Sequence, residues 1–169
     1  MTPTLTLAQF NALPEAEARV ALEGCCASRS WADAVLRGRP YPTLQALLST
    51  AETACLELPS AGLDEALAGH PRIGDRAAGD GAPARLSRHE QSAVARADSS
   101  VQERLRLANA AYEERFSRVF LIHAAGREPE EILSELRRRL GNDPHAERAE
   151  VARELADITG RRLEGLVTA

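Results

Sequence analysis

Apolar residues along this chain recur every three or four positions far more often than every two, the spacing of helix faces rather than of half-buried strands. The clearest case is the segment opened by Thr43, where Leu44, Leu47, Leu48, Ala51, Ala54 and Cys55 share one face. Thr6 predicts the cap of a short helix over LAQFNAL, which Pro14 stops or restarts, and 15–27 predicts a second helix. Ser30 is expected to cap WADAVLRG, which RPYP ends; a short stretch over 63–68 then leads to Gly69-His70-Pro71. Helix is expected to resume over RHEQSAVARA, to break near 98–100, and to continue through Arg115. The next segment, 116–125, is the most apolar of the chain, and Gly126 reads as a helix C-terminus closing it. Pro129 opens EEILSELRRRL, ended by Gly141-Asn142, and a last helix runs from near Pro144 almost to the end. Phe10 and Trp31 read as core anchors. With no repeat, low-complexity tail or long linker, the expectation over 1–169 is a single-domain, all-α, compact multi-helix bundle.

Composition narrows the chemistry. The chain has 169 residues, 44% of them hydrophobic but only 4% aromatic, so the core must be built from Leu, Ala, Val and Ile. Net charge is −4 and there is no basic block, which argues against a nucleic-acid partner. All 21 basic residues are Arg. Without a lysine there is no Schiff-base or pyridoxal-phosphate chemistry and no Walker-type phosphate loop. Cys25, Cys26 and Cys55 form neither a disulfide framework nor a CxxC metal site, and His89, His123 and His145 lack metal-ligand spacing. No apolar run is long enough to span a bilayer, and neither a signal segment nor a peroxisomal tripeptide is evident. A cytoplasmic protein using no metal or cofactor is the expectation.

Candidate chemistry gathers at the glycine-rich stretch HPRIGDRAAGDGAPARLSRHE, residues 70–90. His70 precedes a proline that forces it out of the helical region, and a loop imidazole can exchange a proton near neutral pH. A surface or capping histidine is the plainer alternative. Glu90 closes Ser87-x-x-Glu90, which also matches a capping box, and from the residues alone the cap is favoured. Arg162 falls in the middle of an apolar face formed by Val151, Leu155, Ile158 and Leu166, whereas Arg161 points to the polar side. A guanidinium on such a face needs an acidic partner or an anionic ligand. His123, inside the apolar 116–125 segment, reads as a hydrogen-bonded core histidine, and the arginines at 137–139 read as a solvated helix face.

The ordered set HPRIG at 70–74, LSRHEQ at 86–91 and YEERFSRVFLIHAAGREPEEILSELRRRLGN at 112–142 resembles the OHCU (2-oxo-4-hydroxy-4-carboxy-5-ureidoimidazoline) decarboxylase family. The likeness extends from FNAL near the start to RRLEGLV near the end. It implies a helical bundle, often a homodimer, that acts without cofactor on a ureidoimidazoline in urate breakdown and yields (S)-allantoin. It further implies His70 as the catalytic histidine, placed by Pro71, with Glu90 as its acidic partner. Ser87 and Gln91 would be polar contacts to substrate, and Arg162 its binding arginine. The stretch around Phe120, Ile122 and Ala124 would offer backbone amides to the substrate's carbonyl groups. His123 departs from the family's usual small residue or Cys. Two other readings are a helical interaction module without catalysis and a lyase or hydrolase for a related ureide.

Overall fold

The computed structural model describes residues 4–74, 86 and 92–169. These divide into two compact units, Met1–Gly69 with Leu155–Ala169, and His70–Glu154.

The first unit opens with β1 (Leu5–Thr6) and α1 (Leu7–Ala12). Thr6 caps α1 through a reciprocal box: its hydroxyl accepts from the Gln9 amide, and the Gln9 side chain accepts from the Thr6 amide. After α2 (Glu15–Glu23) comes α3 (Arg29–Arg37), capped by Ser28 and not by the expected Ser30. The displacement follows from where α2 ends. The chain leaves it at Gly24, short of the expected 27, and turns through the buried Cys25 and Cys26. That leaves the Ser28 hydroxyl to accept from the Trp31 amide. Next are α4 (Leu44–Leu56), capped by Thr43 as expected, and α5 (Ser60–Ala68), which starts earlier than 63 because Pro59 supplies its N-cap.

Trp31 joins α3 to α4; it is fully buried, and its indole N–H donates to the Ala51 carbonyl at 3.0 Å. Asn11 pins the turn before α4 by exchanging two hydrogen bonds with the Tyr41 backbone, each 2.9 Å. Cys25, Cys26 and Cys55 are all buried free thiols, and burial pushes the Cys25 thiol up to about 12. The unit closes where β2 (Val167–Thr168) pairs in parallel with β1, Leu5 opposite Val167.

The second unit contains α6 (Ser92–Ala95), α7 (Ser99–Phe116) and α8 (Pro129–Arg139). The break expected near 98–100 is the start of α7, where the Asp98 carboxylate accepts from the Ser100 and Val101 amides. The helix expected over 116–125 does not form. Ser117 at φ 53° ends α7, and 119–124 is neither helix nor strand. Its apolar run, rich in β-branched and aromatic side chains, could not be assigned by periodicity alone. Gly126, at φ +79°, closes a turn rather than a helix. Phe120, Ile122 and Ala124 join Ile73, Val101, Leu105, Tyr112, Ile132 and Leu136 in this unit's core. A last helix, α9 (Pro144–Leu166), begins here, with Asp143 accepting from the His145 and Ala146 amides, and ends in the first unit.

Candidate active site

His70 follows the C-cap Gly69 of α5, half-buried, with its Nε2 atom fully out of solvent; Pro71 is half-buried beside it. Two residues one turn apart on α7 hold the residues that follow, one through backbone and one through a side chain. Asn109, 3% exposed, donates from Nδ2 to the Ile73 carbonyl at 3.1 Å. Glu113 takes a forked pair from Arg72 at 2.5 and 2.6 Å. The i, i+4 spacing puts both on one helix face. Ile73 then enters the same core as Phe120, Ile122 and Ala124, so the HPRIG segment and the 120–124 segment are anchored in one apolar cluster.

A cleft of about 330 Å³ separates residues 72–74 from α7 and is lined in part by Ser99, Gln102 and Asn109. Its arginines are committed to carboxylates, Arg72 to Glu113 and Arg106 to Glu103. Both pairs are partly exposed.

Side chains tie the 120–124 segment at its odd-numbered residues, and the Ala124 carbonyl accepts from the Arg127 amide at 3.1 Å. Arg139 Nη1 donates to the Leu121 carbonyl at 2.8 Å, the His123 amide donates to Glu154 at 2.7 Å, and Arg127 donates to the His123 carbonyl at 3.1 Å. His123 itself is half-buried, not the core histidine expected.

Arg139 is the larger correction. Expected on a solvated face, it is 0% exposed. Its Nε and Nη2 both reach Glu147 Oε1, at 2.9 and 2.6 Å, and its guanidinium lies 4.6 Å from the centre of the Phe120 ring. The same carboxylate accepts the Tyr112 hydroxyl and, on Oε2, the Asn142 amide. Burial, then the bond to Glu147, pushes the Tyr112 hydroxyl well above its ordinary value, so it stays a donor. For Arg139, burial works against the charge, but the bonds and charge of Glu147 outweigh it and the guanidinium pKa is raised. Breaking such a buried pair from one side costs about 3–5 kcal/mol. The clue was in the pattern: Ile132, Leu136 and Arg139 share a face, the same argument that singled out Arg162.

Arg162 is 7% exposed on α9, on the apolar face expected; Val151, Leu155, Ile158 and Leu166 are all buried and Arg161 is exposed. Its Nη1 donates to the Cys25 carbonyl at 3.3 Å, within the first unit. Ser87, Glu90 and Gln91, with most of the glycine-rich loop, lie outside the described residues. Among the described residues no group of three or more His, Cys, Asp or Glu could hold a metal ion, and no helix is long and apolar enough to cross a membrane.

Two solved structures share this all-α fold. One is a crystal structure of an OHCU decarboxylase in the presence of (S)-allantoin, with TM-score 0.72 and 27% identity, covering 85% of this chain and 94% of that one. The other, an (S)-allantoin synthase, has TM-score 0.73 at 17% identity and speaks to the fold alone; it covers 96% of this chain, which spans 54% of that protein. By fold, the chain stands among helical enzymes of this kind. A profile of the OHCU decarboxylase family matches residues 11–164. A 2-oxo-4-hydroxy-4-carboxy-5-ureidoimidazoline decarboxylase of Amia calva is 34% identical over 138 residues, 80% of this chain and 79% of the relative. The chain belongs to the OHCU decarboxylase family.

Proposed function

We propose that the chain is a cofactor-free carboxy-lyase that decarboxylates 2-oxo-4-hydroxy-4-carboxy-5-ureidoimidazoline to (S)-allantoin in urate breakdown. It would work as one catalytic domain, in the cytoplasm, as a homodimer. The observation that carries the reading is the family match, which runs from residue 11 to residue 164 and so takes in His70, Glu90, the 120–124 segment and Arg162. Support comes also from the second unit, where HPRIG and 120–124 share one core.

In this reading the bond between the ring carbon and its carboxylate breaks, carbon dioxide leaves, and the electron pair enters the adjacent carbon–nitrogen double bond. The His70–Glu90 pair handles the proton of the substrate hydroxyl. Pro71 sets the histidine's placement, and Ser87 and Gln91 contact the ring. Arg162 grips the anionic or ureido group through a fork, and the amides of 120–124 meet its carbonyl oxygens as charge moves onto the ring. The ring nitrogen that receives the pair takes a proton, and the carbon that lost the carboxylate keeps its oxygen as a carbonyl when the hydroxyl proton leaves. The neighbouring ureido-bearing carbon is protonated on the face left open, which fixes the S configuration. Because the substrate carries its own electron sink, no lysine is required.

The test is circular dichroism during enzymatic oxidation of urate with hydroxyisourate hydrolase present, with and without this protein. Rapid growth of the (S)-allantoin signal only with the protein is the expected result; a trace matching the slow racemic background would overturn the reading. His70→Ala and Glu90→Ala should each lose about 100-fold or more in turnover. Wild-type turnover in either would remove that residue from the chemistry. A helical interaction module predicts instead that saturating allantoin leaves the melting temperature unchanged, whereas a ligand at 100 times its Kd adds about 2.7 kcal/mol.

A further inference from the structure

We infer that the buried Arg139–Glu147–Tyr112 triad is a positioning device that holds the 120–124 backbone in register for substrate. The inference rests on the reading of Ile122 and Ala124 as amide donors to the substrate, and it adds residues to which that reading gives no part.

A backbone segment outside helix and sheet must have its buried polar groups satisfied by side chains, turns or water. In 120–124 three such bonds are made, from Arg139 to the Leu121 carbonyl, from the His123 amide to Glu154, and from Arg127 to the His123 carbonyl. All three side-chain bonds fall on odd-numbered residues, while the Ala124 carbonyl accepts from the Arg127 amide at 3.1 Å in the turn that follows. Where a chain is extended, the N–H and C=O of one residue point to one edge and those of the next residue to the other. Membership of the core cluster follows the same alternation: Phe120, Ile122 and Ala124 enter it, whereas Leu121, buried elsewhere, and the half-buried His123 do not. Run as an extended chain, the segment directs the amides of Ile122 and Ala124 to the edge opposite Arg139 and Glu154, the edge a ligand would need.

Among the three anchors Arg139 is the rigid one. Its side chain is 0% exposed, against 39% for Arg127 and 17% for Glu154. Two of its nitrogens are fixed on Glu147, leaving the third aimed at Leu121, while the Phe120 ring supports the guanidinium plane. Glu147 is held in turn by Tyr112 and Asn142. Apolar side chains could fill this space and support the fold equally well. They could not grip a carbonyl, and a carbonyl that drifts carries the next amide with it.

The experiment compares the wild type with Arg139→Met/Glu147→Leu, which removes the pair without stranding a charge, and with Arg139→Lys, which keeps the charge but not the planar fork. Folding is checked by melting temperature. The readouts are kcat and KM, and the ¹H–¹⁵N shifts of the Ile122 and Ala124 amides as (S)-allantoin is titrated. In folded variants we expect kcat to fall about 10–100-fold, KM to rise less than about threefold, and the two amide shifts at saturation to shrink. Should the double variant not fold, Arg139→Lys and Tyr112→Phe carry the same comparison. Folded variants with wild-type kcat and wild-type amide shifts would overturn the positioning role while leaving the reaction assignment intact. Wild-type amides that do not move with allantoin would overturn the placement of substrate against this segment, and the inference with it.

Discussion

Gly74 adopts φ +92°, a backbone state that costs a residue with a Cβ about 1 kcal/mol or more. A Cβ placed there would meet Val94 Cγ1 at 3.7 Å, an ordinary contact, so the penalty is torsional and not steric. Gly74→Ala should lower stability by about 1 kcal/mol in urea at unchanged m-value. Because Gly74 ends the HPRIG segment that carries His70, turnover should fall as well; a neutral substitution would show that the turn relaxes freely. Two arginines make a second point at this scale. Arg139 and Arg162 both sit on apolar helix faces, yet Arg139 has its acid in Glu147, eight residues on, whereas Arg162 reaches the Cys25 carbonyl from the far end of the sequence. Periodicity reveals that a charge is buried. The partner must come from elsewhere.

The pairing of α8 with α9 shows how elements are tied at their rims. Arg138 bonds both Glu135 on its own helix and Glu150 on the next, and Asn142 in the turn between them donates to Glu150 as well. Arg138 first, and then Asn142, hold the Glu150 carboxyl down to about 2 against the ordinary 4.5. A depressed carboxyl pKa means the ionised form is favoured by folding. Its contribution is therefore complete above pH 4.5 and is lost as the pH falls toward about 2. The side chains are 49% and 21% exposed, so screening limits the contribution to about 1 kcal/mol. Glu150→Gln should melt lower than the wild type at pH 7, with the gap closing as the pH drops through that window. A gap independent of pH would assign the effect to packing.

For the chain as a whole, the most distant residues in sequence meet in the first unit, where Leu5 pairs with Val167 and Thr6 with Thr168. Val167 is 0% exposed. Val167→Asp would bury an unpaired carboxylate and should cost about 3 kcal/mol or more, read from the fluorescence of Trp31, the single tryptophan and a residue of the same unit. An unchanged midpoint would mean that the short sheet frays without loss. The sequence by itself determined the all-α class, the caps at Thr6 and Thr43, the apolar faces of α4 and α9, and the family. Each of these is written in spacing over a turn or two, or in short motifs. Tertiary structure alone decided that 119–124 runs as irregular backbone, since a short apolar run fits a helix or an extended chain equally well until its neighbours are in place. It also decided that Ser28 and not Ser30 caps α3, because that depended on where α2 stops. And it moved Arg139 from solvent to the core, because the buried charge needs the carboxylate, carbonyl and ring that converge on it, and these come from two other parts of the chain.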